Sequence, residues 1–104
     1  GTGSTLRQRD AEVYLMLEKL RDNNLIETVL GKLLKSKNSE EYIRTLNAYI
    51  RHQGNLTEIS KELYIHRNTL RYRLQKIEGL LGKRLDNAED RAILWLVLRT
   101  LDMQ

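Results

Sequence analysis

Asn55–Lys76 reads NLTEISKELYIHRNTLRYRLQK, two short amphipathic runs that meet at Tyr64-Ile65 with no room for a longer loop. In the first run, Leu56–Leu63, the apolar residues Leu56, Ile59 and Leu63 recur at helical spacing, and Asn55 or Thr57 is placed to cap it. Two helices that cross steeply need a small side chain where they touch, and Ser60 supplies one. Ile65 is expected to plug the core between them. The second run opens at His66 or Asn68, near its cap, and extends from Arg67 to about Gly79, with Leu70, Leu74 and Ile77 at i, i+4 and i+7 facing inward. The pattern predicts a helix-turn-helix over residues 55–79.

At about 100° per residue, Asn68, Tyr72, Gln75 and Lys76 lie opposite that apolar stripe, with Thr69 and Arg73 on one flank and Arg67 in the first turn. The exposed side is therefore polar and aromatic, and its only charges are positive. These are the requirements of a helix that enters the major groove of DNA. Arg67 suits bidentate contact to guanine and Asn68 to adenine, while Thr69 and Tyr72 suit a phosphate or a thymine methyl. Arg71, Arg73 and Lys76 are better matched to phosphates, and Thr57 at the start of the preceding helix to a further phosphate. Each has a plainer alternative. Arg71 and Arg73 have glutamates nearby to pair with, Tyr72 can pack on the domain surface, and His66 suits a helix cap or turn better than a base contact.

The net charge of the 104-residue chain is +4. Between Asn55 and Arg84, seven basic residues (Lys61, Arg67, Arg71, Arg73, Lys76, Lys83, Arg84) face three acids (Glu58, Glu62, Glu78), so this segment holds the entire excess. A clustered excess points to a polyanion. Cysteine is absent, which excludes a disulfide framework and thiol catalysis and fits a reducing, cytoplasmic setting. The longest apolar run, Ala92–Leu98, is far shorter than the roughly 20 residues of a membrane span. His52 and His66 have no ligand-like spacing, and there is neither a phosphate loop nor a nucleophile elbow, so no metal, cofactor or enzymatic activity is expected.

Working outward, Glu40–His52 carries Tyr42, Ile43, Leu46, Tyr49 and Ile50 at helical spacing, with Ser39 as its expected cap and Gly54 suited to a left-handed ending. Leu25–Lys35 is a second, nearly two-sided helix in which Gly31 is read as a mark of close helix contact. Leu6–Arg21 offers Val13, Met16, Leu17 and Leu20 to a neighbour, and the spacing of Leu6, Val13 and Leu20 hints at a heptad seam. Asp22-Asn23-Asn24 breaks the pattern. Beyond the helix-turn-helix, Gly82 is a C-terminal cap, and Leu85 is expected to fold back on the core. Asp86-x-x-Glu89 is closer to a capping box than Asn87-x-x-Asp90. The last helix, Ala88–Asp102, is apolar all round in AILWLVL, as a central post would be. The expectation is an all-α bundle of about six helices. Residues 1–24, a GTGS cloning remnant and a connector helix, precede a domain over 25–104.

The string HRNTLRYRL, His66–Leu74, with the lead-in Tyr42–Ile50, resembles the C-terminal helix-turn-helix of the PucR family, bacterial regulators of the purine-catabolism and sugar-diacid type. The likeness runs from about Leu25 to Leu101; Leu6–Asn24 resembles the variable connector ahead of such domains. More distantly, His66–Arg71 is similar to the recognition-helix opening of the nucleoid protein Fis, which implies contacts at Arg67, Thr69 and Tyr72. Tyr64 stands where many such motifs have a turn glycine, and His66 where Fis has asparagine. The resemblance implies a DNA-binding output domain, a homodimer in the intact regulator, a sensor domain N-terminal to this segment and no cofactor here. The rival reading is a helix-turn-helix that docks protein, either RNA polymerase or the regulator's own sensor.

Overall fold

The computed structural model describes residues 2–21 and 24–103, with side chains from residue 8 onward. Asp22, Asn23 and the Leu6 side chain therefore lie outside the described residues. Six helices follow in order: α1 (Thr2–Arg21), α2 (Leu25–Leu34), α3 (Ser39–Arg51), α4 (Leu56–Leu63), α5 (Arg67–Leu81) and α6 (Ala88–Asp102). The described residues contain no strand, so the all-α expectation is met.

The core cluster is assembled from five of the six helices, α2 to α6. Leu30 and Leu33 of α2, Leu46 and Ala48 of α3, Ile59 of α4, and Leu70, Leu74 and Ile77 of α5 are buried together with Leu94, Val97 and Leu98 of α6. Leu85 folds back among them as expected. α6 packs against α1, α2 and α3, which is why its apolar residues extend around more than one side. α1 packs on α6 and α2. Leu17 is buried there, with Val13 and Leu20 half-buried beside it, whereas Met16, expected to face inward, is exposed alongside Tyr14 and Leu15. One helix laid against the edge of a bundle covers only a narrow stripe, and Met16 is about 100° around from Leu17.

Three helix starts differ from the sequence reading. α1 begins at Thr2, four residues ahead of the expected Leu6. α3 begins at Ser39 itself, one residue early, and Asn38 precedes it without a side-chain cap. α6 is capped by Asn87, whose Oδ1 accepts from the Asp90 amide at 2.9 Å, in place of the favoured Asp86. Competition explains the choice. The Asp86 carboxylate is near the Arg84 guanidinium at 3.4 Å, and the Arg84 amide donates to Asp90 at 2.8 Å. At Gly31, which is buried, the three nearest atoms to a Cβ built there belong to the Glu27 side chain of its own helix.

α4 and α5 join through a turn that exacts backbone strain. Tyr64 takes a left-handed conformation, φ 55° and ψ 44°, and is 94% exposed. The Ile65 amide reaches back to the Ser60 carbonyl at 3.2 Å, closing the end of α4. The hydroxyl of the small Ser60 is buried and without a hydrogen-bond partner among the described residues. Before α4, Gln53 and Gly54 both have positive φ, and a Cβ at Gly54 would meet the Tyr49 hydroxyl at 3.0 Å. Tyr49 donates that hydroxyl to the Leu85 carbonyl at 3.2 Å, so α3 ties the loop after α5 to the bundle.

α3 also grips α4 through a charged cluster. Glu62 accepts from the Arg51 guanidinium and lies 2.9 Å from His52 Nε2. The His52 hydrogen bond, with Arg51 adding to it, holds the Glu62 carboxyl below its usual value of 4.5. A carboxylate lowered in this way stabilises the fold above its unfolded-state value, and the contribution is lost as pH falls through the folded value.

Three outcomes are expected from denaturation measurements. Tyr64→Gly should stabilise the chain by about 0.5–1 kcal/mol, because it removes left-handed strain and sacrifices almost no burial. Ser60→Ala should stabilise it by about 1 kcal/mol, by deleting a buried hydroxyl that has no partner among the described residues. Glu62→Gln should lower stability near neutral pH and leave a shallower acid decline below pH 4.5 than the unaltered chain shows.

Candidate nucleic-acid interface

α5 presents its outer side because its inner side is fully committed. Leu70, Leu74 and Ile77 are buried, and this fixes Arg67, Asn68, Arg71, Tyr72, Gln75 and Lys76 in the exposed arc. Thr69 is exposed beside them, and Thr57 is exposed in the first turn of α4. His66 is the N-cap of α5: its Nδ1 accepts from the Asn68 amide at 3.1 Å. This is the capping role weighed for it, and its side chain stays exposed.

The two arginines on the flanks are sorted by the fold. Arg71 is exposed and, among the described residues, takes part in no ion pair. Arg73 is turned the other way, toward α3. It pairs with Glu41 and donates from Nη1 to Thr45 Oγ1 at 3.4 Å, with only 14% of its side chain exposed. Its assignment as a freely offered phosphate contact meets a physical obstacle, since its guanidinium is already occupied. Residue 73 lies on the flank that abuts α3, and residue 71 on the open one.

Tyr72 does not pack down on the domain surface; it is 62% exposed. The Lys76 ammonium sits 5.4 Å from its ring centroid, a cation–π contact at i, i+4 that gives the exposed ring a neighbour one turn along. Arg67, Arg71 and Lys76 are thus three exposed cations outside any ion pair among the described residues. The helix does contain one acid, Glu78. Its carboxylate is turned to the following loop, where it accepts from the Leu85 amide at 2.8 Å and lies 3.8 Å from Arg84. Gly82, at φ 63°, closes α5 by donating its amide to the Glu78 carbonyl.

Residue-by-residue reading overlooked Glu41 as part of this region. Its place in the first turn of α3 was sufficiently explained by the helix dipole, and only the packing of α3 against α5 brings it to Arg73. Gln75 was legible on the outer face but carries no distinctive chemistry of its own.

Comparison with known proteins gives a consistent picture. Residues 42–100 match the family model described as the PucR C-terminal helix-turn-helix domain. The chain is 37% identical over 94 residues to the carbohydrate diacid regulator of Escherichia coli strain K12, covering 88% of this chain and 24% of the relative. It is 42% identical over 65 residues to the purine catabolism regulatory protein of Bacillus subtilis strain 168, covering 62% and 12% respectively. The proline-responsive transcriptional activator PutR of Bacillus subtilis strain 168 is 30% identical over 92 residues, covering 83% and 22%. The chain therefore spans a quarter or less of the length of these relatives. No solved structure matches the chain significantly. With its helix-turn-helix at α4–α5 inside the matched region, this chain belongs to the PucR C-terminal helix-turn-helix family of transcriptional regulators.

Proposed function

We propose that this domain binds double-stranded DNA in a sequence-selective way, with α5 in the major groove, as the output end of a bacterial transcriptional regulator. The observation that carries the reading is the outer arc of α5, where three exposed cations are interleaved with amides and an aromatic ring on a helix whose inner side is buried in the core. The regulatory roles printed for the carbohydrate diacid, purine catabolism and proline-responsive relatives support it.

In this reading Arg67 and Asn68, at the N-terminal end of α5, meet base edges, and Thr69 and Tyr72 meet a phosphate or a thymine methyl. Arg71 and Lys76 neutralise phosphates on the open flank, and Thr57 adds a contact from the start of α4. His66 has a defined part as well. With Nδ1 accepting the Asn68 amide, a neutral imidazole carries its proton on Nε2, which leaves a donor for a phosphate or base acceptor. No cofactor is needed for this binding. The intact regulator would contain a sensor domain, work in the cytoplasm and bind as a homodimer on half-sites about one helical turn apart.

Binding is to be measured across salt concentrations, using a duplex selected by this chain from a randomised pool and bulk calf-thymus DNA. Arg67→Ala should cost about 1–3 kcal/mol on the selected duplex and relax base preference, while Lys76→Ala should weaken both DNAs alike and reduce the salt slope by about one. No binding by the unaltered chain, or no effect of either substitution, would favour a protein-docking role toward RNA polymerase or the sensor domain.

A further inference from the structure

The apolar underside of α5 holds it to the core, but hydrophobic attraction in itself has no direction. Directional contacts come from α3. Glu41, in the first turn of α3, pairs with Arg73, and Thr45 one turn later accepts from the same guanidinium. Thr45 is fully buried, and its hydroxyl donates to the Glu41 carbonyl at 2.8 Å, so this anchor is itself fixed. At the opposite end of α3, Arg51 and His52 hold Glu62 of α4. One helix thus grips both halves of the helix-turn-helix, each through a carboxylate and a guanidinium.

We propose that Arg73 is a positioning residue rather than a DNA contact: with Glu41 and Thr45 it sets the rotation and tilt of α5, and thereby the angle at which Arg67, Asn68 and Tyr72 are presented. This rests on the reading of α5 as the DNA-facing helix. The planar fork of arginine suits the task, since it meets a carboxylate and a hydroxyl together with fixed geometry, which a lysine cannot reproduce. The consequence for Glu41 is unusual in sign. A carboxylate near a DNA-facing helix repels phosphates, so removing one with no further role tightens binding. Removing one that orients the helix weakens it.

The test uses the 104-residue chain with the selected duplex and calf-thymus DNA, comparing Glu41→Gln, Arg73→Gln, Arg73→Lys and the Glu41→Gln/Arg73→Gln double variant. Glu41→Gln and Arg73→Gln should each weaken binding to the selected duplex on the order of tenfold, a loss of roughly 1.4 kcal/mol, and lower the preference for it over calf-thymus DNA. The salt slope should stay unchanged, Arg73→Lys should recover only part of the loss, and the double variant should be no weaker than either single one. Tighter binding by Glu41→Gln, or a salt slope lower by about one in Arg73→Gln, would overturn the proposal and make Arg73 a phosphate contact. If Arg73→Gln does not fold, the sign of the Glu41→Gln effect decides alone. Absence of binding by the unaltered chain would instead remove the DNA reading itself, and the positioning role with it.

Discussion

The contact between α4 and α5 is the constraint on which the rest of this domain depends. Three residues, Tyr64, Ile65 and the capping His66, connect the helices, and so short a link leaves the chain little freedom in how the second helix leaves the first. The solution is a left-handed tyrosine, a small serine at the contact and an isoleucine turned to the core. Two of these features are locally unfavourable. A non-glycine residue in the left-handed region is strained, and a buried hydroxyl without a partner has lost its water. Both persist because the surrounding core, with Ile59, Leu70 and Leu74 closed over by α2, α3 and α6, outweighs them.

Around that pair, the remaining helices act as a frame. α6 gives the bundle its apolar post, α2 closes one side, and α3 supplies most of the polar anchors. Tyr49 reaches the Leu85 carbonyl, Arg51 and His52 hold Glu62, and Glu41 holds Arg73. Exposed ion pairs such as Arg51–Glu62 add little to stability, and the Arg73 pair is the more buried of the two. Their value here is directional, because they act at the edges of an apolar contact that is tolerant of small rotations. The charge distribution has the same logic: Glu41, Glu62, Glu78 and Asp90 are engaged in bonds to other segments, and cations are left over on the outer side of α5.

Much of this was legible in the sequence, for identifiable reasons. The i, i+4, i+7 spacing of Leu70, Leu74 and Ile77 places the core face of α5, and its complement follows geometrically. Asn55 and Gly82 are capping residues whose chemistry is local, and both act where their types suggest. The errors arose where two similar local signals competed. Asp86 and Asn87 are each competent caps, and the winner was set by where Arg84 draws the neighbouring carboxylates. Met16 and Leu17 are both apolar, and the edge of the bundle buries only one of them.

The sequence by itself determined the helices, the turn between α4 and α5, the inward stripe of α5 and the family, because each depends on residue type and short-range spacing. Tertiary structure alone decided which arginine is left free. Arg71 and Arg73 are two residues apart on one helix and chemically identical, so no local pattern separates them. Packing brings Glu41 and the buried Thr45 of α3 against one flank of α5 and leaves the other open. A partner 32 positions away in the chain is a long-range fact, and the division between an exposed, unpaired cation and one engaged against α3 follows from it.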